Sequence, residues 1–271
     1  MSRERVTITI RADLLRQVDR LVDGLTIRSR SQAMEYLLSK FLSDFKLGNA
    51  LILAGGPKKG LLVNKEPKFL LDLKGAPLLR KVMDGINEFN VSNFMVYVDS
   101  FADEIEEAIK AEHVPYHVEF LHGKGAKGSI APLLLAKNRL HGSFLLAYGD
   151  TLANINLNDM LSFHKENNSI ATVALTTVSN PKDFGVAMLQ GNKITEFEQK
   201  PKKEAHSFLV NAGYFIFEPE VFRHIGRDCQ NIEKDLLPKL AEKGLLYGYP
   251  FHGKYFNINS VQDLKKARAM L

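Results

Sequence analysis

The chain has 271 residues, 45% hydrophobic and 25% charged, with a formal net charge of +5. This composition is typical of a globular protein with one or two domains, and no apolar run approaches the ~20 residues of a membrane span. The single cysteine excludes an internal disulfide framework. The N-terminus lacks the apolar stretch of a secretory signal, so we expect a cytoplasmic protein with no membrane partner.

The positive charge changes its chemistry along the chain. The first 30 residues contain seven arginines and no lysine, whereas lysine dominates further on. Arginine presents a planar fork that suits phosphates and guanine edges. The pattern therefore favours a nucleic-acid contact near the N-terminus, and the alternative is an ordinary solvated charged surface.

The first predicted elements are one strand and two helices. Residues 5–10 alternate in polarity, which predicts a strand with Val6, Ile8 and Ile10 on one face. Apolar residues at helical spacing predict helices over 14–22 and 34–42, and Ser29 with Gln32 has the spacing of a capping box. About 45 residues cannot bury a stable core alone, so we expect two copies to pair their strands.

This strand-helix-helix pattern over residues 3–45 resembles the ribbon-helix-helix family of DNA-binding regulators. The resemblance implies a homodimer through the N-terminal ribbon, or a higher oligomer, bound to the major groove of double-stranded DNA without any cofactor. Its DNA contacts would fall on Arg3, Arg5, Thr7, Thr9, Ser29, Arg30 and Ser31. The alternative is a dimerisation or protein-interaction module with the same fold.

From residue 50 onward, predicted strands and helices alternate, which indicates a mostly parallel sheet with helices on both faces. Ligands of such sheets bind at the carboxyl ends of the strands. We therefore expect an α/β protein with two domains. Residues 1–46 form the DNA-binding and dimerisation domain (β-α-α), and residues 47–271 form a Rossmann-like domain with a mixed sheet.

Six short motifs occur in a fixed order along this second part. They are the strand ending in Ala54-Gly55-Gly56 with Pro67-Lys68, then Gly149-Asp150, Phe184-Gly185-Val186, Gln199-Lys200-Pro201, Asn211-Ala212-Gly213 and Ile232-Glu233-Lys234. This order resembles the sugar-phosphate nucleotidyltransferases and covers residues 50–270. The resemblance implies their GT-A type fold.

The resemblance also implies a two-part site. Nucleotide phosphates would contact Gly55, Gly56, Lys58, Lys59, Lys68, Gly128 and Ser129. The sugar phosphate would contact Gly185, Lys200, Asn211 and Gly213. Asp150 would bind Mg²⁺, with Asn257 at the second ligand position.

Three departures from the family pattern bear on catalysis. The loop Pro57-Lys58-Lys59-Gly60-Leu61 has no arginine, Gln199 replaces a glutamate, and Asn257 replaces a metal-binding aspartate. Lysine supplies charge without the bidentate fork, and Mg²⁺ is usually held by one or two carboxylates. The sequence therefore predicts a weakened Mg²⁺ site.

Three functions remain open on the sequence. The main hypothesis is a DNA-binding transcriptional regulator whose second domain binds a nucleotide, sugar phosphate or nucleotide sugar as effector, with catalysis weak or lost. The alternative is an active sugar-phosphate nucleotidyltransferase with an autoregulatory or dimerising N-terminal domain. The third is an assembly protein that uses both domains for protein contacts.

Overall fold

The structure, a computed structural model, describes residues 4–44, 46–123 and 128–270. The chain divides into two compact units, Met1–Phe45 and Lys46–Leu271. Arg3 lies outside the described residues, as do residues 124–127 of the glycine-rich loop, which is the segment 122–129 with three glycines. Within the described ranges, no helix combines the length and the hydrophobicity needed to cross a bilayer.

The N-terminal unit contains two helices, α1 (Ala12–Asp19) and α2 (Arg30–Asp44). The turn between them is held by the Asp23 carboxylate, which accepts hydrogen bonds of 2.8–2.9 Å from three successive backbone N–H groups, those of residues 25–27. The N–H of Gln32 donates to Ser29 Oγ at 3.2 Å, so Ser29 caps α2 as its spacing predicts.

The strand predicted over residues 5–10 is not formed. Residues 4–11 carry no regular secondary structure, and Val6 and Ile8 remain 75% and 58% exposed. The physical reason is that a lone strand needs a neighbour to accept its backbone hydrogen bonds, and the described part of the chain pairs no segment with residues 4–11. The ribbon-helix-helix fold is therefore not confirmed.

The second unit is an α/β domain. Its described strands are β1 (Asn49–Ala54), β2 (Leu62–Val63), β3 (Glu66–Pro67), β4 (Asn93–Val98), β5 (His117–His122), β6 (Phe144–Tyr148), β7 (Thr151–Ala153), β8 (Ala171–Thr177), β9 (Gly185–Gln190), β10 (Lys193–Gln199), β11 (Leu209–Phe217), β12 (Leu246–Pro250) and β13 (Tyr255–Asn257). Its described helices are α3 (Leu78–Asn87), α4 (Ala102–Ala111), α5 (Ile130–Ala136), α6 (Leu157–Glu166), α7 (Leu237–Glu242) and α8 (Val261–Met270).

Nine of these strands form one sheet in the order β5-β4-β1-β6-β11-β8-β12-β10-β9. The ladders among β5, β4, β1 and β6 are parallel, as is the ladder between β8 and β12. However, β11 runs antiparallel to both β6 and β8, and β10 runs antiparallel to β9 and β12. A mixed sheet is confirmed, but it contains more antiparallel pairing than the sequence predicts, because β11 enters between β6 and β8.

Both faces of the sheet are covered by helices. Strand β1 shows this best, because Ala50 and Ile52 join the core beneath α3, α4, α6 and α8, while Leu51 and Leu53 join the core beneath α5 and α7. A strand buried on both faces reads as a continuous apolar run, which is what residues 50–54 present. Each fully buried leucine or isoleucine contributes about 1.5–3 kcal/mol relative to exposure.

Candidate functional site

Two adjoining cavities open where the strands β1, β4 and β6 end. The larger has a volume of about 490 Å³ and the smaller about 220 Å³. Tyr148 and Asp150 line both cavities, so the two meet at the end of β6. This is the edge of an α/β sheet at which ligands bind.

The floor of the larger cavity depends on two glycines that follow β1. A Cβ atom at Gly55 would lie 2.5 Å from Cε1 of Tyr97, so only glycine lets that ring pack across the turn. Gly56 adopts a φ of +145°, which side chains rarely tolerate. The Gly-Gly pair therefore brings bare backbone to the cavity wall, as phosphate contact requires.

Most of the predicted nucleotide-binding residues meet in this cavity. Gly55, Gly56, Lys68, Gly128 and Ser129 all line it, although they come from three separate segments of the chain. A φ of +81° at Gly128, together with a Cβ position only 2.1 Å from the carbonyl oxygen of Gln230, makes glycine necessary there as well.

Lys58 and Lys59 are not brought to the cavity. They occupy exposed positions of the 3₁₀ turn Lys58–Leu61, and neither lines either of the two cavities, although Leu61 of the same turn is buried and lines the larger one. The Lys58 ammonium instead lies 5.0 Å from the centre of the Phe101 ring, a cation–π distance. Sequence spacing alone did not reveal that these side chains point away.

The smaller cavity gathers all the predicted sugar-phosphate residues. Gly185, Lys200, Asn211 and Gly213 line it together with Asn257. The Asn211 side-chain oxygen accepts a 2.8 Å hydrogen bond from the N–H of Gly213, whose φ is +76°. The Asn-Ala-Gly motif thus forms a tight turn that fixes the orientation of the Asn211 amide.

The two cavities share an ion pair. Lys68 is only 7% exposed, and its ammonium donates a hydrogen bond to the Asp150 carboxylate and another of 3.2 Å to Asn259 Oδ1. The Thr151 hydroxyl donates to the second oxygen of Asp150 at 3.2 Å. A charged pair with this little solvent exposure is only weakly screened.

Asp150 and Asn257 provide the oxygen ligands that Mg²⁺ prefers, and this ion commonly completes its shell with water and substrate phosphates. No group of three or more His, Cys, Asp or Glu side chains is assembled in the described part of the chain. The side chain of Asn257 also accepts a 2.7 Å hydrogen bond from Asn259. The residues fit one Mg²⁺ ion held by a single carboxylate.

Several residues that line the cavities were not predicted as site residues. They are Tyr97, Asp99, Ser100, Tyr148, Thr151, Asp183, Glu233, Tyr255 and Asn259. Tyr97, Asp99 and Ser100 lie at the carboxyl end of β4, so the rule that ligands bind at strand ends would have found them. Glu233 belongs to the Ile232-Glu233-Lys234 motif, but the motif did not assign it to a cavity, because it lies on a helical turn distant in sequence.

Glu233 connects the walls of the two cavities. Its carboxylate accepts hydrogen bonds from the hydroxyl groups of Tyr148 and Ser129, the latter at 3.2 Å. Burial raises the pKa of Glu233 above its ordinary value.

The predicted DNA-binding residues do not form one surface of regular structure. Arg5, Thr7 and Thr9 lie in the irregular segment before α1. The Arg30 guanidinium forms a bidentate pair with Asp19, at 2.5 and 2.9 Å, instead of standing free at the start of α2. The first turn of α2 also contains Ser31, and Ser29 is used as the helix cap.

The fold and the paired cavities define a protein of the nucleotidyltransferase class. The profile of the Nucleotidyl transferase family matches residues 49–269, and the chain belongs to that family. The mannose-1-phosphate guanylyltransferase catalytic subunit beta of Danio rerio is 28% identical over 230 residues, which cover 82% of this chain and 64% of that protein. The protein of the same name from Drosophila melanogaster is 29% identical over 222 residues, covering 79% and 60%. The alignments thus span about 60–64% of the length of these curated relatives.

Solved structures support the fold of the second unit. HddC from Yersinia pseudotuberculosis complexed with GMP-PN superposes with a TM-score of 0.70 and 19% identity, over 82% of this chain and 99% of that one. UDP-glucose pyrophosphorylase complexed with UDP-glucose gives a TM-score of 0.70 and 19% identity, over 83% and 98%. At this level of identity the similarity establishes the α/β nucleotidyltransferase fold with its mixed sheet.

These comparisons correct the main functional hypothesis. The relatives bear the names of sugar-phosphate nucleotidyltransferases, which are enzymes, and nothing in the comparisons indicates a DNA-binding regulator. The regulator hypothesis is therefore wrong, and its alternative is the better account. The arginine-rich N-terminal pattern and the three site departures favoured a regulator, whereas the order of the motifs over residues 50–270 indicates the enzyme family.

Proposed function

We propose that the chain transfers a nucleotidyl group from a nucleoside triphosphate to a sugar 1-phosphate and releases pyrophosphate. The observation that carries this proposal is the meeting of the two cavities at Asp150, which forms an ion pair with Lys68 of the larger cavity. A triphosphate in the larger cavity and a sugar phosphate in the smaller one would bring their phosphates together at this point. Juxtaposition of two reactants is itself a major source of rate enhancement.

The reaction requires an oxygen of the sugar phosphate to attack the α-phosphorus, while the bond from that phosphorus to the bridging oxygen breaks and pyrophosphate leaves. Catalysis of such transfers depends mainly on positioning and on stabilising the negative charge of the transition state. The buried ammonium of Lys68 is well suited to the second task. Lys200, on the wall of the smaller cavity, is suited to hold the sugar phosphate.

Backbone and amide groups supply the remaining contacts. Gly55 and Gly56 offer bare backbone to the triphosphate, and Gly128 with Ser129 closes the opposite wall of the larger cavity. Asn211, oriented by its bond to Gly213, presents its amide to the sugar. These assignments rest on the lining of the cavities and on the order of the family motifs.

Mg²⁺, when held by Asp150 and Asn257, would neutralise charge on the reacting phosphates. We infer that its affinity is weakened relative to a site with two carboxylates, because Asn257 is uncharged and Lys68 already pairs with Asp150. The lysine offsets part of this loss by contributing its own positive charge at the same place.

The names of the relatives suggest the first substrates to test, GTP and mannose 1-phosphate. The experiment is to measure pyrophosphate release by the full chain with this pair and Mg²⁺, and then with the other triphosphates and hexose 1-phosphates. Asp150→Asn is expected to lower the rate by about 10²–10³-fold, on the scale of losing one contact to transition-state charge. Asp103→Asn, an exposed change on α4, serves as the control.

Absence of pyrophosphate release with every pair would overturn the proposal. Equal activity in the Asp150→Asn and wild-type chains would support the proposed activity but would disprove the assignment of Asp150 to its site.

For the N-terminal unit we propose the dimerising role, with a ribbon formed by strands from two copies. The supporting observation is the number of apolar side chains that this unit leaves in contact with solvent: Val6, Ile8, Leu14, Leu21, Leu25, Tyr36, Leu37 and Leu38 are all at least 36% exposed. So many exposed apolar side chains in one small unit are unusual for a monomer and are typical of an interface.

A further inference from the structure

Three segments that are far apart in the sequence meet at the boundary between the two cavities. They are residues 128–130 at the end of the glycine-rich loop, Tyr148 at the end of β6, and residues 230–233. The last segment begins a π turn, Ile232–Leu236, in which the N–H of Leu236 donates to the carbonyl of Asn231 at 3.3 Å. Such turns are rare and occur frequently at functional sites.

Hydrogen bonds join the first and third segments. The N–H of Ile130 donates to the Gln230 carbonyl at 3.0 Å, and the N–H of Ile232 donates to Ser129 Oγ at 2.8 Å. The Ser129 hydroxyl then donates to Glu233 at 3.2 Å. Because Gly128 has no Cβ, the two backbones approach closely enough for this arrangement. The end of the loop and the π turn are thus tied together.

The Glu233 carboxylate extends this connection to the other cavity. One oxygen accepts from Ser129, which lines the larger cavity, and the other accepts from Tyr148, which lines both. Glu233 itself lines the smaller cavity. An ionised carboxylate is the one side-chain group that accepts at both oxygens and donates at neither, so it matches two converging hydroxyl groups.

We propose that Glu233 is a positioning residue that couples occupancy of the two cavities, so that each ligand raises the affinity for the other. The proposal rests on the proposed function for the identity of the two ligands. A triphosphate in contact with Ser129 and Tyr148 restrains both hydroxyl groups, and through them the carboxylate on the wall of the smaller cavity. The sugar phosphate then binds to a wall that is already ordered, which reduces the entropy lost on binding.

The test uses titration calorimetry on the full chain in one Mg²⁺ buffer. The dissociation constant of mannose 1-phosphate is measured with the protein alone and with the protein saturated by a GTP analogue. That analogue has a methylene group between its α- and β-phosphorus atoms, so it cannot release pyrophosphate. For the wild-type chain we expect the dissociation constant of mannose 1-phosphate to be about fivefold or more lower when the analogue is bound, in the range typical of coupled sites. The coupling ratio is the constant without the analogue divided by the constant with it. By reciprocity, mannose 1-phosphate must tighten binding of the analogue by the same factor.

The central variant is Glu233→Gln, which keeps the size of the side chain but replaces one acceptor oxygen with an NH₂ donor. Whatever the change in either separate affinity, its coupling ratio is expected to fall to about one. A residue with a merely structural role would weaken both affinities and leave their ratio unchanged. Glu242→Gln, an exposed change on α7, is the matched control and is expected to keep the wild-type ratio.

Tyr148→Phe and Ser129→Ala provide a second measurement that does not depend on the Glu233 variant folding. Each removes one hydroxyl donor, so each is expected to lower the ratio. Tyr148→Phe combined with Glu233→Gln is expected to lower it no further than Glu233→Gln alone, since both changes break the same connection.

A ratio near one in the wild-type chain would overturn the coupling role, and so would an unchanged ratio in Glu233→Gln. In either case, binding of both ligands to the wild-type chain would still support the proposed function. If neither ligand bound the wild-type chain, the proposed function and the coupling inference would fall together. If Glu233→Gln did not fold, unchanged ratios in both Tyr148→Phe and Ser129→Ala would overturn the coupling role.

Discussion

Nε2 of His164 lies 3.2 Å from an oxygen of the Glu218 carboxylate, at the interface between α6 and the sheet. His164 is only 1% exposed. Because a carboxylate only accepts, Nε2 carries the proton, while Nδ1 lies 2.8 Å from the Thr172 hydroxyl, which itself lies 3.1 Å from Ser169 Oγ. Lys165 and Ser143 also donate to Glu218, at 2.7 and 2.6 Å. The group forms a polar network on the covered face of the sheet.

This network predicts a loss of stability in acid. Burial lowers the pKa of His164, and the opposing effect of Glu218 is smaller. The imidazole of His164 then binds a proton more readily in the unfolded chain than in the folded one. The stability that the neutral, buried His164 contributes is therefore lost as pH falls below about 6.5. Burial disfavours the ionised Glu218, but hydrogen bonds from His164, Lys165 and Ser143 outweigh it and lower its pKa from 4.5 to about 2. That contribution is present above pH 4.5 and is lost as pH falls toward 2.

Glu218→Gln tests the network. It is expected to lower the free energy of unfolding at pH 7 by up to about 3 kcal/mol, the value of a shift of this size. The difference from wild type is expected to shrink below pH 4.5. Urea unfolding followed by circular dichroism measures both effects. Glu220→Gln, an exposed change two residues away, is the control, and an equal loss in both variants would contradict the prediction.

Asn257→Asp is expected to strengthen Mg²⁺ binding. It restores a second carboxylate beside Asp150, and the affinity of such sites rises with the number of charged ligands. We expect the dissociation constant to fall by about tenfold, or ~1.4 kcal/mol. Calorimetric titration with Mg²⁺ measures this directly, without reference to turnover.

The control for this change is Asn154→Asp, which adds the same charge on an exposed residue that lines neither of the two cavities. Similar gains in the two variants would mean that Mg²⁺ responds to net charge and not to the position of residue 257.

Gly55→Ala is expected to destabilise the second unit and to weaken nucleotide binding. Its Cβ would lie 2.5 Å from the Tyr97 ring, and the required movement costs about 1–3 kcal/mol, as other overpacking changes do. Thermal unfolding with and without GTP measures both effects. Gly60→Ala meets no atom within 4 Å and is expected to leave the melting temperature nearly unchanged. If both substitutions left it unchanged, the close packing at Gly55 would be disproved.

Ile8→Glu is expected to convert the full chain from dimer to monomer, because it places a charge on the face that we propose to be buried between two ribbons. Size-exclusion chromatography with light scattering gives the mass. Thr7→Glu, on the opposite face of the proposed strand, is the control and is expected to remain dimeric. A wild-type chain that is monomeric at micromolar concentration would contradict the dimer.

The sequence predicted the parts of the site that local chemistry determines. Gly55 and Asp150 each follow an apolar run, and the structure ends β1 at Ala54 and β6 at Tyr148, directly before or within one residue of these positions. Strand β12 carries a weaker signal, because Gly248 and Pro250 interrupt its apolar pattern. Gly248 is necessary there, since a Cβ would lie 2.6 Å from Leu175 Cδ1. That constraint comes from packing against β8 and leaves no trace in the segment itself.

Longer-range relationships could not be predicted from a single sequence. Ser129 and Glu233 are separated by 104 residues, and their contact requires both the loop end and the π turn to be formed. The orientation of Lys58 and Lys59 likewise depends on a 3₁₀ turn that directs them to solvent. In each case the sequence gives the residue type, but the orientation of the side chain depends on the tertiary structure around it.

The exposed turn that contains Lys58 and Lys59 has a consequence for how this chain can change. Substitutions at solvent-exposed positions with few contacts usually alter stability by less than about 0.5 kcal/mol. Yet these positions lie between Gly56 on the wall of the larger cavity and Leu61, which ends the turn, is buried and lines the same cavity. Mutations at Lys58, Lys59 and Gly60 can therefore accumulate while Leu61 and the core stay intact, so the rate of reaction and the stability of the fold are free to evolve separately at these positions.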